Sequence, residues 1–174
     1  MTFAQRSFAA QQHEQSLPAM LVARGWAVEP WGMGSVPPAM RHILHNLRDS
    51  YGRPCLWRWI PDLLIGRELF RKCEAYLVDA KTTMESNRNS TNYAIELNAI
   101  QTYRKIEDDF NIPVLMVAPS GGVLTVHTVL NRGAGRIQDG NSTNGSGTAY
   151  MLISKIYATE FDQTFGRPGA SLTP

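Results

Sequence analysis

Residues 75–81 read Ala75-Tyr76-Leu77-Val78-Asp79-Ala80-Lys81, an apolar run that ends on two opposite charges. The run is that of a strand, and strand side chains alternate faces, so Leu77, Asp79 and Lys81 share one face and Tyr76, Val78 and Ala80 the other. Taking a carboxylate and an ammonium out of water at a buried strand end is costly unless they pair or bind something. Upstream, Pro61-Asp62 opens a second apolar run, Leu63-Leu64-Ile65. Asp62, brought beside Asp79 from a neighbouring strand, would make the pair a site for a divalent cation with an ammonium next to it. Hard oxygen donors and water suit Mg2+ or Mn2+ better than zinc. The alternative is a salt bridge at a strand edge, with Asp62 only a turn residue after proline.

Pro61-Asp62, sixteen residues, then Asp79-Ala80-Lys81 resembles the motif of the PD-(D/E)xK nucleases. This restriction-endonuclease-like group includes restriction enzymes, phage exonucleases and archaeal-type Holliday-junction resolvases. The resemblance covers about residues 14–118. It implies an α/β domain, a central mixed sheet flanked by helices, that hydrolyses DNA phosphodiester bonds with Mg2+, for which Mn2+ substitutes. Asp62 and Asp79 are its implied metal ligands, with the Ala80 carbonyl completing the protein donors. Lys81 is implied to orient or deprotonate the attacking water, or to neutralise developing charge. The group tends to carry a carboxylate in its first helix, matched here by Glu14, at the metal or its water. It often has a glutamine or similar residue in the helix after the DxK strand, matched by Gln101. Small members resemble the junction resolvases and the small phage or mobile-element nucleases, which implies a homodimer acting on branched DNA. Sequence-specific or end-processing DNA cleavage is the nearest enzymatic alternative. A non-catalytic nucleic-acid-binding protein of the same fold is the alternative from another class.

Composition is compatible with this reading without demanding it. The 174 residues read as one domain, 1–174, large enough for a layered core. Net charge is only +2, so no broad basic field announces nucleic acid, although arginines outnumber lysines thirteen to four. Cys55 and Cys73 lack metal or redox spacing and read as reduced packing residues. Neither a leader, a membrane span nor a lipidation motif is visible, so the expected location is the cytoplasm.

Along the chain, residues 7–24 read as a helix stopping at Gly25, with Phe8, Leu17, Leu21 and Val22 inward and a bend at Pro18. A short strand at 26–28 and a helix over 39–49, apolar at Met40, Ile43, Leu44 and Leu47, come next. Residues 55–60 read as a strand with Trp57 and Trp59 on one face, a core pair or a base-stacking platform. A hairpin pairs 62–70 with 74–81. Residues 82–92 read as a polar loop, with Arg88 a DNA-contact candidate. A long helix spans 92–110, with Ile95, Ala99, Ile100, Tyr103, Ile106 and Phe110 on one stripe. Glu96 and Tyr103 read there as packing or surface residues. Strands follow at 113–118 and 123–129, then a flexible Gly/Asn-rich loop at 131–147 with Arg132 and Arg136, and a last strand and short helix over 148–165. Glu68 and Glu74 are set aside, Glu74 because it stands roughly 17 Å of strand before Asp79. His42 and His45 lack a third zinc ligand, and Gly133–Arg136 lacks the Gly-Lys-Ser/Thr of a phosphate loop.

Overall fold

The computed structural model describes residues 3–48, 50–52, 55–69, 71–81, 91–133, 137–139 and 149–169, without the side chains of 3–11, 34, 45 and 137–139. The main sheet holds, side by side, β1 (Ala27–Pro30), β2 (Leu63–Leu69), β3 (Lys72–Ala80), β5 (Val114–Val117), β6 (Gly122–Thr125) and β9 (Thr159–Glu160). A smaller sheet holds β4 (Asn92–Glu96), β8 (Ala149–Ser154) and β7 (Ile137–Asp139) in that order. The helices are α1 (Phe3–Val22), α2 (Gly32–Ser35), α3 (Pro38–Asn46), α4 (Leu97–Phe110), α5 (Val126–Arg132) and α6 (Phe161–Phe165). Because β3 pairs antiparallel with β2 and parallel with β5, the main sheet is mixed. This is the expected α/β architecture of a central mixed sheet flanked by helices.

The alternation read in 75–81 divides the core in two. Leu77 and Met116 point to the α4 side and pack with Ala99, Ile100 and Tyr103. Val78, Ala80, Leu115 and Val117 point to the other side and pack with Leu17 and Leu21 of α1 and Phe161 and Phe165 of α6. An apolar stripe at 99, 100 and 103 is one face of a helix, and burying it is what holds α4 on the sheet. Ile100 is fully buried, so Ile100→Ala should cost about 2–5 kcal/mol. In urea this would appear as a lower unfolding midpoint at unchanged slope.

Several local expectations are corrected. Residues 92–96 form β4, paired with β8, and the helix begins only at Leu97. The strand expected to reach Val129 stops at Thr125, whose hydroxyl accepts from the Thr128 amide and starts α5. Residues 55–60 hold a 3₁₀ turn, Leu56–Trp59, not a strand. At three residues per turn, positions i and i+2 lie about 240° apart; Trp59 is accordingly buried and Trp57 exposed. Val22 is exposed while Leu17 and Leu21 are buried, and α1 runs on through Pro18. Within 131–147, α5 extends to Arg132 and 137–139 pair with β8; residues 134–136, with Arg136, and 140–147 lie outside the described residues, as do 82–90 with Arg88. Among the described residues no helix is long and apolar enough to cross a membrane.

Candidate active site

The β2–β3 hairpin brings the two aspartates together. Its register pairs Leu69 with Lys72 and Leu63 with Val78, and Arg71 in its turn is left-handed, at φ 64°. Continued one step past Leu63, that register sets Asp62 opposite Asp79. Like charges directly opposed across a sheet are unfavourable. Here one oxygen of each carboxylate is engaged. Asp62 Oδ2 accepts the Ala80 amide at 2.9 Å, capping a strand end that has run past its partner. Asp79 Oδ2 accepts both the Lys81 ammonium and the Tyr103 hydroxyl, each at 2.7 Å. Among the described residues the Oδ1 atoms take no hydrogen bond. Lys81 is itself fixed at the backbone, where its amide donates to the Val117 carbonyl at 2.9 Å.

Electrostatics report the crowding. Burial, then the Asp79 charge, pushes Asp62 up to about 8. Glu14 is exposed as a residue, yet shielding of its carboxyl, then Asp79, raises it above the usual carboxylate range. Burial works against the Lys81 charge, but Asp79, with help from Asp62 and Glu96, raises Lys81 overall. Lys81 therefore stands as an ammonium at neutral pH. Tyr103 is raised well above its ordinary value by burial, then by Asp79, so it stays a neutral donor.

The sequence candidates thus divide. Asp62, Asp79 and Lys81 are brought together, and Ala80 takes part through its amide. Glu14 comes within electrostatic reach from α1, which the His13 ring ties to the Val117 carbonyl at 3.1 Å. Gln101 does not reach the site: it lies two residues from Tyr103, about 200° around the helix, and is exposed. Glu74 instead pairs with Arg67 at 2.8 Å. Tyr103 is the residue that sequence reading missed, because within an apolar stripe its hydroxyl gives no separate signal. Tyr103→Phe should remove a hydrogen bond to a charged acceptor and cost about 1.5–3 kcal/mol, measured by urea unfolding at pH 7.

The donor set fits a divalent cation. The Asp79 charge raises both Asp62 and Glu14 beside a neighbouring ammonium, and all three side chains offer hard oxygens. Among the described residues no three acidic, histidine or cysteine side chains stand together so as to hold a metal ion, so the fit is to the aspartate pair with water completing the shell.

The chain resembles two solved structures in its overall course. One is the 1.6 Å structure of Archaeoglobus fulgidus Hjc, a Holliday junction resolvase from an archaeal hyperthermophile. It matches at 12% identity and a TM-score of 0.48, over 90% of this chain and 99% of that one. The other is D212, a nuclease from a fusselovirus, at 13% identity and 0.45, over 95% of this chain and 90% of that one. No family model and no curated protein matches the sequence.

Proposed function

We propose that this chain is a divalent-cation-dependent nuclease that hydrolyses DNA phosphodiester bonds, selects branched DNA and works as a homodimer. The observation that carries the hydrolytic reading is the Asp62 carboxylate on the Ala80 amide, within reach of the Asp79 charge, with the Lys81 ammonium on Asp79 Oδ2. Asp62 and Asp79 would hold the cation, with Glu14 the third carboxylate in reach. The bound cation would supply Lewis-acid stabilisation of phosphate charge and acidify water. Tyr103 holds Asp79 in place, and Lys81 presents a fixed positive charge to the phosphate as negative charge builds on it. Glu14, held above the usual carboxylate range by burial and the Asp79 charge, would be the carboxylate placed to take a proton from the attacking water.

The test is cleavage of labelled linear duplex, nicked, flap, single-stranded and four-way DNA, with Mg2+, with Mn2+ and with EDTA, alongside solution mass by light scattering. Cation-dependent cutting that favours the four-way or flap substrates, by a dimer, is the expected result. Absence of cutting on every substrate would reject the nuclease. A monomer that degrades linear ends and ignores junctions would reject the branched-DNA and dimer assignments.

The Asp62 shift makes a separate prediction. With Asp62 at about 8, cation binding must displace a proton below that pH. Affinity for Mg2+ should therefore rise about tenfold per pH unit from pH 6 and level off near pH 8, as measured by calorimetry. For the cation-free protein the direction reverses. The native state keeps the Asp62 proton between about pH 4 and 8 while the unfolded chain has lost it, so this contribution to stability falls as pH rises through about 8.

A further inference from the structure

Strands β1 and β2 are hydrogen-bonded neighbours, Pro30 beside Leu63, yet the whole stretch from Trp31 to Asp62 is inserted between them. Hairpin neighbours are usually joined by about two to five residues; here the connection carries α2, α3 and the 3₁₀ turn. This one is anchored on the site. The Trp31 amide donates to the Asp62 carbonyl at 2.7 Å. Gly32, at φ 49°, lies so close to the Pro61 carbonyl that a Cβ would stand 2.6 Å from it. The Cys55 amide, at 3.1 Å from the Leu47 carbonyl, ties the segment after α3 to the 3₁₀ turn that leads into Pro61-Asp62.

What the insertion displays is unusual in two respects. It exposes Met40, Ile43, Leu47, Tyr51, Leu56 and Trp57, with Tyr51 81% and Trp57 40% accessible. Scattered exposed apolar residues need no explanation, but a concentration on one inserted segment marks a binding surface. The same stretch of sequence carries four arginines, Arg41, Arg48, Arg53 and Arg58, to two acids, Asp49 and the site residue Asp62, on a chain whose net charge is only +2. Next to Trp57 and Arg58, the Trp59 indole N–H is buried without an acceptor among the described residues.

We infer that the insertion engages unpaired nucleotides of the substrate, Trp57 taking a base face and Arg58 a phosphate. This rests on the nuclease reading and adds to it the strand state that the site selects. Flat rings set among cations are what single-stranded nucleic acid recognises, since every base has a stacking face and every linkage a charge. A second copy of this chain fits less well: a two-fold contact would set the arginine-rich surface against itself. Trp57 also stands five residues before Asp62, at most roughly 17 Å of chain, so a strand stacked on it passes close to the aspartates.

The experiment uses full-length chain carrying Asp79→Asn, in EDTA, so that binding is read without cleavage. Fluorescence anisotropy compares a labelled forked DNA, a single strand and a blunt duplex, and light scattering gives the mass of every variant. Trp57→Ala should lower the ratio of fork to blunt-duplex affinity about tenfold, the scale of one lost base–aromatic stack. Trp57→Phe, which keeps a flat ring, should restore most of it. Arg58→Ala should reduce the salt dependence of single-strand binding by about 0.7 in log–log slope, one phosphate contact. An unchanged ratio in Trp57→Ala, or equal weakening on all three DNAs, would overturn the inference while leaving the nuclease reading intact. Dissociation of a dimer by Trp57→Ala with fork binding unchanged would overturn it in favour of a second copy. Wild-type chain that neither binds nor cuts any DNA would overturn both.

Discussion

Asp79→Asn is expected to reduce DNA cleavage by at least about 10³-fold, the upper scale for loss of one preorganised charged group at a reacting centre. The substitution keeps the side chain's shape and its ability to accept from Tyr103, so the β3 strand end should persist. The negative charge that Lys81 now pairs with disappears, and with it one of the two aspartates proposed to hold a cation. DNA binding should survive or tighten, because a negative charge beside the phosphates is removed. Single-turnover cleavage and equilibrium binding, measured on the same preparation, separate the two effects. Retained cation-dependent cleavage by the purified variant would show that the hydrolytic centre lies elsewhere.

Lys81→Ala should lower the single-turnover rate about 10²-fold or more, the usual scale for one lost charge-stabilising group. Its geometry adds a consequence for the fold. The Lys81 side chain is only 18% exposed and Asp79 is buried, so the variant leaves a carboxylate without its counter-ion. Breaking a buried pair by removing one partner costs about 3–5 kcal/mol. The stability loss should shrink when Mg2+ is added, because a bound cation replaces the missing charge. Lys81→Arg should keep much of the stability but little of the rate, since the bulkier guanidinium cannot sit where the ammonium does. Thermal unfolding with and without Mg2+, beside the cleavage rates, tests both parts. A normal rate with weakened DNA affinity in Lys81→Ala would reassign the residue to holding phosphate.

The strand at 75–81 was legible because side-chain parity is a local property: once the run is extended, Asp79 and Lys81 must share a face. The α4 stripe and the buried strand at 114–117 were legible for the same reason, one helical or strand period being enough to show them. Tertiary structure decided what those faces meet. Whether Asp62 stands opposite Asp79 depends on the residue count in the turn before Lys72, where Arg71 takes a left-handed conformation without the glycine or asparagine that would announce it. Residues 92–96 are a strand only because 150–154, far along the chain, lie beside them; read locally, their apolar spacing joins the helix that follows. Gln101 and Tyr103 are both polar-tipped positions of α4, and only the docking of that helix on β3 aims the tyrosine hydroxyl at Asp79 and turns the glutamine to solvent. Which charges share a strand face follows from local alternation along the chain; the distance between that face and its partners was a matter of non-local packing, which no single stretch of chain encodes.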